Sequence, residues 1–176
     1  MDFKYKLANF EDVPFIKRLM NLSITKLLGD YVNENELEAS FESMGLDDQL
    51  IKDKTYFLIY FQGLLVGCGG WSNRKTLFGG NHTPNRSNDF LNPNEDDAKI
   101  RAMYTHPDWS RKGVGTLILE IAEKEASISG FKRCELMATL SGIHLYKARG
   151  YKVDDEIIYK SKKGNSVKMF KMTKFL

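Results

Sequence analysis

Apolar and polar side chains alternate at the start of the chain. Phe3, Tyr5 and Leu7 are interleaved with Lys4 and Lys6, the period-two pattern of a strand. The period then changes. Phe15, Ile16, Leu19, Met20 and Leu22 share one side of a helix, and Asn9, Asp12 and Pro14 ahead of them supply a cap and a first turn. Gly29-Asp30 interrupts that helix, and a second is predicted from about Asn33 to Met44, with Leu37, Phe41 and Met44 on one side. The run TYFLIYF at 55–61 is almost wholly apolar, as suits a strand covered on both faces. Gln62-Gly63 turns the chain, and Leu65–Trp71 returns as a strand. Gly67, Gly69 and Gly70 inside it point to a bulge, a close approach by a backbone or ligand, or crowding against a helix.

The second half continues in the same manner. Lys99–Thr105 reads as a strand, broken by His106-Pro107-Asp108. Val114, Leu117, Ile118, Ile121 and Ala122 then follow the spacing of one helix face, and Ser129-Gly130 ends the helix. Phe131–Ala138 is a further strand with Cys134, Leu136 and Ala138 on one side, followed by a short helix at Ser141–Lys147. Two last strands, Tyr151–Lys160 and Val167–Phe175, meet at a Lys163-Gly164-Asn165 turn. Between the halves lies an insertion at 73–97, rich in Asn, Gly and Pro and longer than the roughly 12–15 residues at which loops become uncommon. The preferred reading is a floppy or partly ordered insert; a substrate lid and a dimer arm are the alternatives. Thr76-Leu77-Phe78 could form a small arm, and Phe90-Leu91 could anchor the far end.

Composition narrows the class. A chain of 176 residues is one domain of ordinary size, without internal repeat. A net charge of +3 is too small to argue for nucleic acid, and no RNA- or DNA-reading motif is present. The opening MDFKYKLANFEDV has no apolar core of a signal peptide, and no run approaches a membrane span, so a cytoplasmic protein is expected, with no membrane partner. Cys68 and Cys134 lie in apolar contexts and read as buried thiols; Cys134 as an acyl-accepting nucleophile is the sharper alternative. His82 reads as an exposed loop residue with no metal set around it.

Candidate chemistry centres on Ser110–Gly115. A strand, a basic loop and a helix start follow one another there. A helix N-terminus presents unpaired N–H groups and a dipole that favours anions. Arg111 and Lys112 add charge, and Gly113 and Gly115 carry no Cβ to hold a phosphate away from the backbone. The segment reads as a phosphate or pyrophosphate cradle, with a tight turn as the plain alternative. Ile118 stands where a dinucleotide fingerprint needs its third glycine, and Gly115-Thr116-Leu117 does not supply a P-loop.

The longer string IRAMYTHPDWSRKGVGTLIL resembles the acyl-CoA-binding motif of the GNAT superfamily: a strand, a proline, then Arg/Gln-x-x-Gly-x-Gly/Ala opening a helix. Gly113 and Gly115 match its glycines, and Ser110 replaces the usual Arg or Gln beside Arg111 and Lys112. Residues 138–151, ATLSGIHLYKARGY, resemble a second family segment, with Leu145-Tyr146 and Gly150-Tyr151 matching, Thr139 in place of Asn and Gly142 in place of Ala. The resemblance implies an α/β (α+β) fold, a single domain over 1–176 with a mixed, mostly antiparallel sheet flanked by helices. It implies acetyl transfer from acetyl-CoA to an amine of a small-molecule or protein acceptor, by a monomer or homodimer. It places Met103, Tyr104 and Thr105 along the pantetheine arm, Arg111, Lys112, Gly113, Val114, Gly115, Thr116 and Thr139 on the cofactor, and Tyr146 as the proton donor to the departing thiolate. The oxyanion donor is the N–H of Met103 or Tyr104. Tyr31, Trp71 and Arg101 are candidates for the acceptor pocket. The strand Ile100–Thr105 holds no carboxylate, which leaves Glu34, Glu36, His106 or water as the base. A non-catalytic acyl-CoA-binding sensor or partner module is the alternative.

Overall fold

The apolar run in mid-chain becomes β2 (Tyr56–Phe61), and its two faces explain its composition. The structure, a computed structural model, describes residues 1–176. Phe57 and Ile59 join a core cluster with Ile118, Leu119 and Ala122 of α4 (Val114–Ile128). Tyr56 and Leu58 point the other way, onto Ile16, Leu19 and Met20 of α1 (Val13–Ser23). Both faces of the sheet are covered, so polar residues are absent from the run.

Seven strands form one sheet, adding β1 (Lys4–Leu7), β3 (Leu64–Ser72), β4 (Ala98–Thr105), β5 (Arg133–Ala138), β6 (Lys152–Lys160) and β7 (Ser166–Phe175). Their order is β1-β2-β3-β4-β5-β7-β6, and only β4 and β5 run parallel. On the α1 side, a π-helical turn at Ile24–Leu28 extends α1, followed by α2 (Glu34–Ser43) and α3 (Asp48–Lys52). The short helix α5 (Ile143–Ala148) links β5 to β6. Asn9 and Asp12 form a capping box before α1, and Asn33 and Glu36 form another before α2. No helix is long and apolar enough to cross a membrane.

Several elements depart from the pattern-based reading. β1 alternates as expected, yet all four of its residues are exposed, because α4 lies over β3 and β4 and does not reach this edge. Phe15 is also exposed, and the buried stripe of α1 runs through Ser23 into Ile24 and Leu28 of the π-helical turn. The five-residue α3 has no apolar periodicity long enough to register in the sequence; Asp47 caps it. The β3 glycines have two causes. A Cβ on Gly67 or Gly69 would sit 2.4 Å from Val114 or 2.7 Å from Ile118, and one on Gly70 would sit 2.0 Å from the Thr55 carbonyl. Helix crowding explains the first two, and a neighbouring backbone the third.

The 73–97 insertion is held in place along its length. The Arg74 guanidinium donates twice to Asp53 at 2.6 and 2.8 Å and stacks on Phe90. Thr76 and Ser87 pair across the segment, and Leu91 enters the main core. His82 and Thr83 bind the Phe41 and Glu42 carbonyls, two of the orphan acceptors at the C-terminal end of α2. Local composition suggested a looser segment because these anchors lie elsewhere in the chain.

The sheet opens between β4 and β5. These strands pair only at Ala98↔Cys134 and Lys99↔Glu135, where Lys99 and Lys171 both reach the buried Glu135 carboxylate. Past that point, Ala102 and Met103 of β4 together oppose Gly69 of β3, a bulge. Ala102 takes a φ of 50°, and Tyr56 Oη donates to its carbonyl at 2.7 Å. β5 keeps its register with β7, so a gap forms between β4 and β5.

Candidate functional site

The gap leads into a cavity of about 80 Å³, room for the reacting end of a molecule. Met103 and Tyr104 of β4, Met137 and Thr139 at the end of β5, and Tyr146 of α5 line the sheet side. Ser43, Met44 and Gly45 after α2, with Leu77, Phe78 and Gly79 of the insertion, close the opposite side.

Two phenols face this space. Tyr146 Oη has only the Met103 sulfur as partner, at 3.7 Å, and burial pushes its pKa up to about 12. Burial also raises the pKa of Tyr104, whose oxygen accepts from Gly45 N–H at 3.0 Å. Both therefore stay protonated at neutral pH and can donate hydrogen bonds. Gly142 matters to the first of them, because a Cβ there would lie 3.1 Å from the Tyr146 ring.

The one charged residue in the wall is Arg101, which is 3% exposed. Its guanidinium donates to Asp47 at 2.9 Å and to the Thr76 and Gly79 carbonyls at 2.7 and 2.8 Å. Arg86 takes the other Asp47 oxygen. Two guanidinium groups thus share one carboxylate and tie β4, the start of α3 and the insertion together.

At the far end of the gap, Gly113 begins α4 with φ 90°, no side-chain cap, and nothing within 4 Å of where a Cβ would be. Arg111 and Lys112 are exposed and enter no ion pair; Lys112 lies over the Trp109 ring at 5.0 Å. Free helix N–H groups, open space and two uncommitted cations fit a polyphosphate. Gly115 plays another part: a Cβ there would meet Leu145 at 2.8 Å, so this glycine lets α4 approach α5. Val114 is 1% exposed and can offer only backbone to a ligand. Thr105 and Thr116 sit half-buried at the two ends of the loop.

The structure thus gathers Met103, Tyr104, Thr139, Tyr146 and Arg101 around one cavity and Arg111–Thr116 around one helix start. Two of the three candidates for the acceptor pocket lie outside the cavity. Trp71 packs edge-on against Phe131 at 5.9 Å in the core beneath α4 and does not reach the cavity. Tyr31 is 53% exposed just past the π-helical turn and does not line the cavity. Arg101 borders the cavity, but three hydrogen bonds commit its guanidinium to the insertion and to Asp47. The candidate bases are also placed. Glu36 closes the Asn33 capping box, Glu34 is exposed in the first turn of α2, and His106 Nδ1 accepts from Asp108 N–H. None lines the cavity. Cys134 is fully buried, with its pKa pushed up to about 12 by burial, which leaves an unreactive thiol. The sequence reading assigns none of Met44, Leu77, Phe78, Met137 and Met169 to the site; only the Leu77-Phe78 pair ahead of two glycines gives a visible signal.

Comparisons with known proteins come from two directions. A family model described as an acetyltransferase (GNAT) domain matches residues 52–153. Among solved structures, a GCN5-related N-acetyltransferase from Rhodopseudomonas palustris is 20% identical, with TM-score 0.74 over 100% of this chain and 97% of that one. The PaiA N-acetyltransferase of Thermoplasma acidophilum, in complex with coenzyme A, is 17% identical, with TM-score 0.65 over 100% of both chains. YncA from Salmonella typhimurium, solved with its cofactor acetyl-CoA, is 15% identical, with TM-score 0.65 over 100% of this chain and 95% of that one. No curated protein matches the chain by sequence.

Proposed function

Because the chain belongs to the GNAT acetyltransferase family, we propose that it transfers the acetyl group of acetyl-CoA to the nitrogen of an amine, carried by a small molecule or a protein. The observation that carries this reading is the gap between β4 and β5, with the uncapped start of α4 on one side and the protonated Tyr146 phenol in the cavity it leads to. Acetyl-CoA supplies an acyl group activated as a thioester. The chain's own residues bind, orient and stabilise. Arg111, Lys112 and the N–H groups at the start of α4 take the pyrophosphate. The unpaired edge of β4 from Met103 to Thr105 lines the arm that reaches into the gap, with Thr139 opposite.

Negative charge gathers first on the thioester oxygen as the amine adds, then on sulfur as it leaves. A backbone N–H of Met103 or Tyr104 serves the first. Tyr146 serves the second: its neutral phenol lacks a strong acceptor and stands ready to give its proton to a thiolate. A phenol with pKa near 12 holds that proton throughout the working pH range.

One observation favours a second reading, a module that binds acyl-CoA without turnover: no carboxylate or imidazole lines the cavity to take the amine's proton. Release of free thiol from acetyl-CoA, followed across a panel of amines, tests the choice. Release with any acceptor supports transfer. Calorimetric binding of CoA with no release for any amine supports the sensor.

A further inference from the structure

No carboxylate lines the cavity, and several of the acceptors around it are already engaged. The Phe41 and Glu42 carbonyls are taken by His82 and Thr83, those of Thr76 and Gly79 by Arg101, and that of Ala102 by Tyr56. Ser43 donates to the Ser40 carbonyl, and Thr139 pairs with Ser141. Both Asp47 oxygens lie in guanidinium contacts. Glu42, next to Ser43 in the chain, is bound by Tyr159 Oη and Lys162 N–H. The charge in the wall is also of the wrong sign for a cation, since Arg101 and Arg86 share the single carboxylate of Asp47. The remaining lining is apolar and adaptable: Met44, Met103, Met137, Met169, Leu77 and Phe78.

We infer that the acceptor is a weakly basic amine on an apolar group, and that it enters the cavity already uncharged. This rests on the acetyl-transfer reading of the same cavity. An ammonium entering it loses its hydration and meets no carboxylate, only a guanidinium cluster, so the neutral form is favoured. A neutral amine brings a lone pair that two phenols and a cationic cluster tolerate. The nitrogen lone pair forms the new C–N bond, and the C–S bond breaks with its electron pair on sulfur. Sulfur takes the Tyr146 proton, and the proton that the nitrogen sheds returns to the phenolate through water. No carboxylate is needed.

Basicity then selects the acceptor. At pH 7.5 an α-amine of pKa about 7.8 is roughly one-third neutral, whereas a lysine-like amine of pKa about 10.4 is roughly one-thousandth neutral. The resulting preference is on the order of 250-fold with no contact distinguishing them.

The test measures kcat/KM for thiol release from acetyl-CoA by the full chain with three apolar probes: 4-ethylaniline, the free α-amine of leucyl-phenylalanine amide, and hexylamine. The aniline and the dipeptide separate a small arylamine from a peptide terminus as the source. At pH 7.5 at least one of these two exceeds hexylamine by about 100-fold, and hexylamine gains about tenfold per pH unit up to pH 9.5. Met44→Glu, which puts a carboxylate in the wall, raises hexylamine turnover by about tenfold or more. Hexylamine turned over at pH 7.5 within tenfold of the better weak amine, or independently of pH, overturns the inference and leaves acetyl transfer standing. CoA binding with no thiol release from any probe overturns the transfer reading and this inference with it.

Discussion

The loop that starts α4 and the cavity beside Tyr146 lie at opposite ends of one gap, and they are built by different means. Five consecutive residues, Ser110–Val114, make the loop proposed to hold the phosphates. It works through backbone N–H groups, a left-handed Gly113 and two exposed cations. The cavity draws on α2, β4, β5, α5, β7 and the insertion, and a buried Arg101–Asp47–Arg86 cluster holds its far wall. A backbone site survives most changes of side chain around it. A side-chain site assembled from distant segments changes whenever one of them does. The contrast suits a cosubstrate that stays the same and an acceptor that varies.

Tyr146 faces the cavity, and its removal should have the largest effect. Tyr146→Phe keeps the ring and loses the proton donor, so turnover falls by about 10²–10⁴-fold while CoA affinity in calorimetry stays within a few-fold. Because this phenol titrates near pH 12, the wild-type rate rises with pH as the amine deprotonates and shows no downturn below about pH 10. A downturn between pH 7 and 9 would pass the donor role to another group.

Next comes the wall of the cavity. Arg101→Met leaves Asp47 to Arg86 alone and strips the Thr76 and Gly79 carbonyls of their donor, a loss of about 1–3 kcal/mol. Urea unfolding reads that loss, and amide exchange should quicken at Thr76–Ser87. CoA affinity of the folded fraction should hold, since the cradle shares none of these contacts. Weakening of CoA binding in step with stability would show that the two regions are one cooperative unit.

The converse change targets the cradle. Arg111→Ala with Lys112→Ala lowers CoA affinity by about tenfold or more and flattens its dependence on salt, because two exposed cations no longer face the phosphates. Melting should move little, as surface changes of this kind stay within about 0.5 kcal/mol. The smallest effect belongs to Gly115→Ala, whose Cβ meets the flexible end of Leu145 at 2.8 Å. A stability loss of about 1 kcal/mol follows, and Leu145→Ala in the same chain relieves it. Loss of CoA affinity that Leu145→Ala cannot restore would return Gly115 to the phosphate site.

The difference in construction also decides what could be read from the sequence. The strand, basic loop and helix of 98–128 are local, and their pattern of periods, glycines and charges is legible. Tyr146 was legible through its neighbours Leu145 and Gly150-Tyr151. The acceptor side was not. Met44, Met137 and Met169 look like any core methionine until the fold brings them together. Trp71 follows glycines that make room for α4 and for the Thr55 backbone, not for a ligand. Arg101 looked available because its partners, Asp47 and the Thr76 and Gly79 carbonyls, lie 54, 25 and 22 residues away. The insertion read as loose for the same reason: its anchors are long-range.

Ala102 sits in the middle of β4 with a φ of 50°, a conformation glycine adopts freely and alanine adopts at a cost of about 1 kcal/mol or more. The Tyr56 hydroxyl holds its carbonyl in place. An alanine elbow is a stiff joint. It keeps β4 leaning away from β5 whether or not a ligand fills the opening between them. Glycine there would make the fold cheaper to form and let the two strands swing, and a wedge that swings must be propped open again at every turnover.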